Sequence, residues 1–236
     1  EDVCESHGAK FKKKKLGSFG WTSNFSFYYA HHMSTIEGGM ISTNDKSAYH
    51  DLLMLRSHGM IREVKNNKFQ DFMKNKFKDL NSKFIFYHPA FNVRNNEIGA
   101  IIGLSQIKRL NRNIYKRNLN LKYFLKNLDK DIYFVDFDLE GQSNYAFNII
   151  LKNKNKRLMK KLMKRLDENQ IEFRLGSAGG GNQLRQPYIK KLFKKKYYTK
   201  FKNTEHIHFY GMYIGNYPEL KKNQINFILK ILNSIT

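Results

Sequence analysis

The residues best suited to chemistry fall in the first 41 positions of the 236-residue chain. Ser26-Phe27-Tyr28-Tyr29-Ala30 runs into two histidines, His31 and His32, and then through Met33-Ser34-Thr35-Ile36 to Glu37-Gly38-Gly39. An imidazole takes and gives protons near neutral pH, so it suits general acid–base work. Aromatic and β-branched residues on either side predict two strands, 24–29 and 40–43. The glycine pair between them allows a tight turn or a close approach to a ligand. Successive side chains on a strand point to opposite faces, so one histidine can enter a pocket while its neighbour packs. Upstream, Glu1-Asp2-Val3-Cys4-Glu5-Ser6-His7-Gly8-Ala9 adds three carboxylates and the chain's one cysteine. Cys4 reads as a small buried residue, since no base pattern surrounds it.

Taken together, these two stretches resemble the sugar aminotransferase family (DegT/DnrJ/EryC1/StrS), which has the aspartate-aminotransferase fold. That family acts on nucleotide-linked keto-sugars with pyridoxal phosphate, held by a lysine placed between the aromatic run and the Glu-Gly-Gly turn. His31 stands in the lysine position here. The substitution is similar to the dehydratase branch of the family, the GDP-4-keto-6-deoxymannose 3-dehydratase type. The resemblance implies an α/β, fold type I architecture: the C-terminal part of a cofactor-binding large domain over 1–128, lacking its N-terminal portion, and a small α+β domain over 129–236. It also implies a pyridoxal phosphate/pyridoxamine phosphate-dependent 3-dehydration of a nucleotide-linked 4-keto-6-deoxy sugar, with His31 as base. The alternatives are a sugar aminotransferase in which another lysine acts, and a basic module that binds anions or nucleic acid.

Site residues follow from the same resemblance. Tyr28 would steer His31 or the substrate, and His32 would be structural. Asp2 would keep the cofactor's ring nitrogen protonated, because a carboxylate beside it favours the charged form. Glu5 would face the oxygen side of the ring. Ser26 would bind the cofactor phosphate, and Asn92 would reach the phosphate of a neighbouring subunit, which implies a homodimer with shared active sites. His58 would lie near the sugar, and Arg185 would contact the substrate diphosphate. L-glutamate is the implied amino donor. For a chain that opens inside a motif without Met, the expectation is a fragment that is inactive alone.

Composition limits the other readings. Lys and Arg number 43 against 20 Asp and Glu, a net charge of +23. Such a field can attract nucleic acid or an anionic membrane. No zinc-finger spacing, RNA-binding aromatic signature or basic coiled coil accompanies it, so neither partner is expected. A nucleotide sugar is itself anionic and would profit from the field. One cysteine excludes an internal disulfide and a multi-cysteine metal site. It also disfavours the iron–sulfur branch of the sugar 3-dehydratases. No apolar run reaches membrane-spanning length, and the expected location is cytoplasmic.

The elements that must position these residues can be read coarsely. A buried strand is expected over 1–9 and a charged loop or edge over 10–15. A helix should follow Asn44-Asp45 and end near Gly59. Residues 61–83 read as an irregular excursion with a short helix, and 84–91 as an extended run. A long helix should start after Asn95-Asn96 and end near residue 128. Gly99 and Gly103 in it would admit a second helix. Further on, strands are predicted at 131–137, 145–151, 171–175 and 207–214. Amphipathic helices are predicted at 154–169 and at the C-terminus. Helices on one face of an antiparallel sheet suit this order. Gly176–Gly181 reads as a flexible loop bordering the sugar pocket, since it lacks the setting of a P-loop or dinucleotide fold. His206 and His208 would share one strand face.

Overall fold

The computed structural model describes residues 1–176, 180–193 and 196–235. The chain divides into two compact units, Glu1–Leu110 and Asn111–Thr236.

The first unit is built on two hairpins. The outer one pairs β1 (Lys10–Phe11) with β2 (Lys14–Lys15) through a two-residue turn in which Lys12 and Lys13 both have positive φ. The inner one pairs β3 (Thr22–Ser26) with β4 (Gly39–Thr43), in register from Thr22↔Thr43 to Ser26↔Gly39. Residues 27–38 form the loop between these strands. The strand predicted at 1–9 is reduced to one bridge, between Asp2 and Asn24, because the chain turns at once through Ser6 N–H to Val3 O and Ala9 N–H to Ser6 O. Only Val3, His7 and Ala9 of this stretch are buried.

Asp45 caps α1 (Lys46–Leu55) by accepting from Ala48 N at 2.7 Å. The helix stops earlier than Gly59. That glycine, with φ +74°, sends its N–H back to Met54 O at 2.8 Å. A Cβ there would overlap the His88 carbonyl, so only glycine fits. Asn66 caps α2 (Asn67–Lys76), whose Met73 closes a small core with Met54, Ile61, Val64 and Ile85. The extended run at 84–91 is held by one bridge, Met60↔Phe86, and by Tyr87 N–H to Gly59 O.

The long helix α3 (Glu97–Asn127) begins in this unit. Gly99 and Gly103 do not meet a second helix among the described residues. They face Thr35, whose methyl group would lie 3.4 Å from a Cβ at Gly103. The two glycines thus seat the loop that follows the histidines.

In the second unit, β5 (Ala146–Ile150), β7 (Gly211–Gly215) and β6 (Arg174–Leu175) form an antiparallel sheet in the order β5-β7-β6. Asn155 caps α4 (Lys156–Glu168), which buries Met159, Leu162 and Leu166. The last helix, α7 (Lys222–Asn233), buries Ile225, Ile228, Leu229, Ile231 and Leu232. These residues, with Phe124, Phe147 and Ile149, share one core. Deep burial of some twenty apolar side chains, each contributing about 1.5–3 kcal/mol, makes this the stronger of the two interiors. Arg117, 6% exposed, ties the second half of α3 to the sheet by donating to the carbonyls of Tyr145 and Asn216.

Two predicted strands are corrected. At 131–137 pairing is limited to Tyr133↔Leu151, and the Tyr133 hydroxyl is drawn inward to Leu232 O at 2.9 Å. At 207–214 the chain is helical through α6 (Lys202–Tyr210) and becomes β7 only at Gly211. A Cβ at Gly211 would stand 2.7 Å from Ile207 O, so the glycine makes the abrupt change possible. His206 and His208 therefore lie on a helix. The short α5 (Pro187–Lys190) completes the elements described.

Candidate active site

The reacting groups gather where three segments of the first unit meet: residues 1–7, the face of β3, and the loop after it. Strand pairing ends at Ser26, so His31 and His32 sit in a turn and strand alternation does not govern them. The turn has its own logic. His31 N–H donates to Tyr28 O at 3.0 Å, while Thr35 N–H reaches back to Phe27 O and Thr35 Oγ1 donates to Glu37 O. Buried Thr35, lodged on the glycine face of α3, pins the far side of the loop. The two histidines are thus separated by the turn itself. His32 is 4% exposed, whereas the His31 side chain is 12% exposed.

His31 Nε2 lies 3.7 Å from Glu5 Oε1. The Tyr28 ring stands edge-on to the imidazole, with centroids 5.5 Å apart and planes at 75°. A carboxylate beside an imidazole orients the ring and stabilises the imidazolium that forms when it accepts a proton. The arrangement is that of a general base with its support. Glu5, expected beside the oxygen side of a cofactor ring, also lies beside this histidine.

Asp2 stands at the edge of β3, bridged to Asn24. Its Oδ1 accepts from Cys4 N and Asn24 Nδ2, each at 3.1 Å. Hydrogen bonds from the Cys4 side chain and backbone hold the carboxyl below its usual range, so it is an anion at neutral pH. Burial and the Asp2 carboxylate push the Cys4 thiol up to about 11, which makes it a poor nucleophile. Ser26 lies two residues beyond Asn24 on the same face of β3, roughly 7 Å farther along the strand. Its Oγ accepts from Tyr28 N at 3.3 Å and retains a hydroxyl proton to donate.

His58 and Asn92 are neighbours, joined by the Ser57↔Asn92 bridge and by His58 N–H to Phe91 O at 2.9 Å. Both are exposed, and His58 has φ +60°. Arg185 belongs to the second unit. Its guanidinium is bidentate on Glu205, at 2.8 and 2.5 Å, and lies between the rings of Tyr198 and Phe209. Asn182 adds a hydrogen bond to the same carboxylate, and its N–H donates to His208 Nδ1. Part of the predicted Gly176–Gly181 loop, 177–179, lies outside the described residues.

One residue escaped the sequence reading. His7 is 5% exposed, and its ring packs on Phe25, Phe27 and His32 with centroids 5.5–6.0 Å apart. Neither ring nitrogen has a hydrogen-bond partner among the described residues. Burial, followed by the nearby charge of His31, lowers its pKa. A histidine just before a glycine turn gives no periodicity signal, so nothing in the sequence marked it as interior.

The donor set fits a pyridine cofactor bearing a phosphate. It offers an ionised carboxylate, a hydroxyl farther along the same strand face, and an imidazole with a carboxylate beside it. Among the described residues no cluster of His, Cys, Asp and Glu could hold a metal, and no helix is long and apolar enough to cross a membrane. Known proteins point the same way. The model of the DegT/DnrJ/EryC1/StrS aminotransferase family matches residues 1–233. The chain is 34% identical over 235 residues to the GDP-4-keto-6-deoxy-D-mannose 3-dehydratase of Escherichia coli O55:H7, covering 98% of this chain and 59% of that one. It is similar, with TM-score 0.81 and 31% identity, to the E. coli GDP-4-keto-6-deoxy-D-mannose-3-dehydratase solved with hydrated PLP, over 98% of this chain and 59% of that one. A GDP-4-keto-6-deoxymannose-3-dehydratase with a trapped PLP–glutamate geminal diamine gives TM-score 0.80 and 31% identity, over 97% and 59%. The chain thus spans about 59% of the length of these relatives.

Proposed function

The chain belongs to the DegT/DnrJ/EryC1/StrS aminotransferase family, and from that premise we propose that the protein it represents dehydrates a nucleotide-linked 4-keto-6-deoxy sugar at C3, using pyridoxamine phosphate. Its fold is the α/β, fold type I architecture of the pyridoxal phosphate-dependent sugar aminotransferases. The observation that carries the reading is the His31–Glu5 pair at 3.7 Å, in the segment where the resemblance implies a lysine. An imidazole does not condense with an aldehyde as an amine does. It can shuttle protons, and shuttling is what an elimination beside an electron-withdrawing ring requires.

Asp2 would hold the ring nitrogen, Ser26 the phosphate, and Asn92 the phosphate of a second copy, which would make the working form a homodimer. Bound as pyridoxamine phosphate, the cofactor supplies an amine for the C4 ketone and a pyridine that withdraws electrons. His31 would act as the base at the carbon bearing that amine and would return the proton to the C3 hydroxyl, so that it leaves as water. Glu5 would stabilise the imidazolium between these two transfers, and the Tyr28 edge would limit the swing of the ring. His58 would face the sugar. L-glutamate would regenerate the amine, and the reaction would be cytoplasmic.

Arg185 would contact the substrate diphosphate through the guanidinium N–H groups that its pair with Glu205 leaves over.

Incubation of the full-length protein with pyridoxal phosphate, L-glutamate and GDP-4-keto-6-deoxymannose tests the proposal. Ammonia release with a 3-deoxy product supports it, and replacement of His31 by Phe abolishes both. A stable 4-amino sugar would instead assign transamination.

A further inference from the structure

Asn24 has no part in the proton transfers above, yet the chain places it against Asp2, the carboxylate assigned to the cofactor's ring nitrogen. It occupies the middle of β3, pairs with Ile41, and is exposed. Asparagine is disfavoured in strands, so the strand itself gives no reason for the residue. Its backbone grips the first segment from both sides: Val3 N–H donates to Asn24 O, and Asn24 N–H donates to Glu1 O, each at 2.9 Å. The side chain extends that grip. Asn24 Nδ2 is 3.1 Å from Asp2 Oδ1 and 3.3 Å from Cys4 Sγ. Cys4 N–H closes the arrangement on the same oxygen, at 3.1 Å.

We propose that Asn24 is the positioning residue of Asp2: its side-chain amide fixes the carboxylate through Oδ1, which leaves Oδ2 to the protonated ring nitrogen of the cofactor. This rests on the reading of Asp2 given above. A carboxylate on a short loop segment rotates freely unless something holds it, and one that protonates easily loses its grip on a pyridinium. Two donors on one oxygen oppose both tendencies, because they favour the charged form and define its rotamer. Cys4, through its thiol and its backbone N–H, does most to keep the carboxyl ionised, and Asn24 adds to this while tying it to the strand. Glu5, on the same segment, acts on Cys4. Asn24 is the one side chain of β3 among these groups. It therefore links Asp2 to the strand that also carries Ser26, so the two ends of the bound cofactor are referred to one rigid element.

The test follows the Asp2 carboxyl by carbon-13 NMR through a pH titration of the full-length protein, in the wild type and in Asn24→Leu, Asn24→Asp and Cys4→Ala. The titration midpoint rises in Asn24→Leu, and rises further in Asn24→Asp, where a second carboxylate replaces the amide. Cys4→Ala, which keeps the backbone N–H, moves it less than Asn24→Asp does. Pyridoxamine phosphate binds Asn24→Leu about fivefold to tenfold more weakly, the loss that goes with one hydrogen bond to a charged group near solvent. The thermal midpoint of each variant, read beside the titration, separates this from unfolding. An unchanged Asp2 midpoint in both Asn24 variants that remain folded would overturn the proposal. If the midpoint moves as stated while Asp2→Asn leaves cofactor affinity unaltered, the positioning stands and the assignment of Asp2 to the ring nitrogen fails.

Discussion

Replacing His7 by Leu should make the protein less sensitive to acid without weakening it at alkaline pH. The buried imidazole has both nitrogens unpartnered among the described residues. Each such group costs about 1–3 kcal/mol when desolvated without a bond. Leucine removes that penalty and forfeits the ring contacts with Phe25, Phe27 and His32, about 0.5–1.5 kcal/mol each. At pH 8 the variant should therefore be as stable as the wild type, or more stable by about 1 kcal/mol. The pH dependence has a definite sign. Burial lowers the folded-state pKa of His7, so above the unfolded value of about 6.5 both states are neutral and its contribution is fully present. As the pH falls below that value the unfolded chain takes the proton first, and stability is lost. The slope for one proton is at most about 1.4 kcal/mol per pH unit. Urea unfolding at half-unit steps from pH 8 to pH 5 measures both effects. The wild-type curve should fall away from that of His7→Leu below pH 6.5, by up to about 1.4 kcal/mol at pH 5.5. Parallel curves would refute the reasoning, and so would a variant more than 2 kcal/mol weaker at pH 8, since the ring contacts would then be lost with no desolvation penalty to offset them, which means the imidazole is bonded.

Three further outcomes follow from the same geometry. Cys4, with its thiol at about 11 against an ordinary 9.0, should react with iodoacetamide at neutral pH about 100-fold more slowly than an unperturbed cysteine. Mass spectrometry of the alkylated chain checks this, and Asp2→Asn should restore part of the rate. Arg185→Ala should cost about 2 kcal/mol, about 0.5–1 for each ring contact and the rest for the partly screened carboxylate pair. Arg185 lowers the Glu205 pKa, so the advantage of the wild type should persist above about pH 4.3 and fade below it in denaturant titrations. Gly59→Ala should lose at least about 3 kcal/mol, because φ +74° and the His88 carbonyl both exclude a Cβ. An alanine variant with an unchanged thermal midpoint would show that the turn beneath His58 and Asn92 can relax.

What could be read from the sequence was whatever local pattern determines. Asp45 as a cap, the α4 stripe and the long helix after Asn95-Asn96 all stand where periodicity and capping chemistry put them. The strand expected at 207–214 failed because a helix and a strand share those residues and the change depends on one glycine, which carries no period. At 131–137 the alternation is real, but pairing needs a neighbour, and only Tyr133 finds one. The family motif pointed to His31 and Asp2 together. It could not reveal that Glu5 touches the histidine or that Asn24 touches Asp2, because both contacts join segments about twenty residues apart or cross a turn.

The loop that bears His31 shows how a tolerant scaffold can carry an exacting group. Residues 27–38 make few strand contacts of their own, and a loop of this length would otherwise sample many states. Three features remove that freedom. Phe27 continues the β3–β4 ladder to Gly38, Thr35 ties back to Phe27 and Glu37, and the Gly99–Gly103 face of α3 receives Thr35. The glycines matter because they let the loop approach a helix whose other side chains would hold it off. A side chain larger than alanine at position 103 would meet the Thr35 methyl and lift the loop. His31 would then move away from Glu5, while Asp2, fixed to β3 through Asn24, would stay. The proposed base and the proposed anchor of the cofactor are therefore held by separate means, and they can be disturbed one at a time.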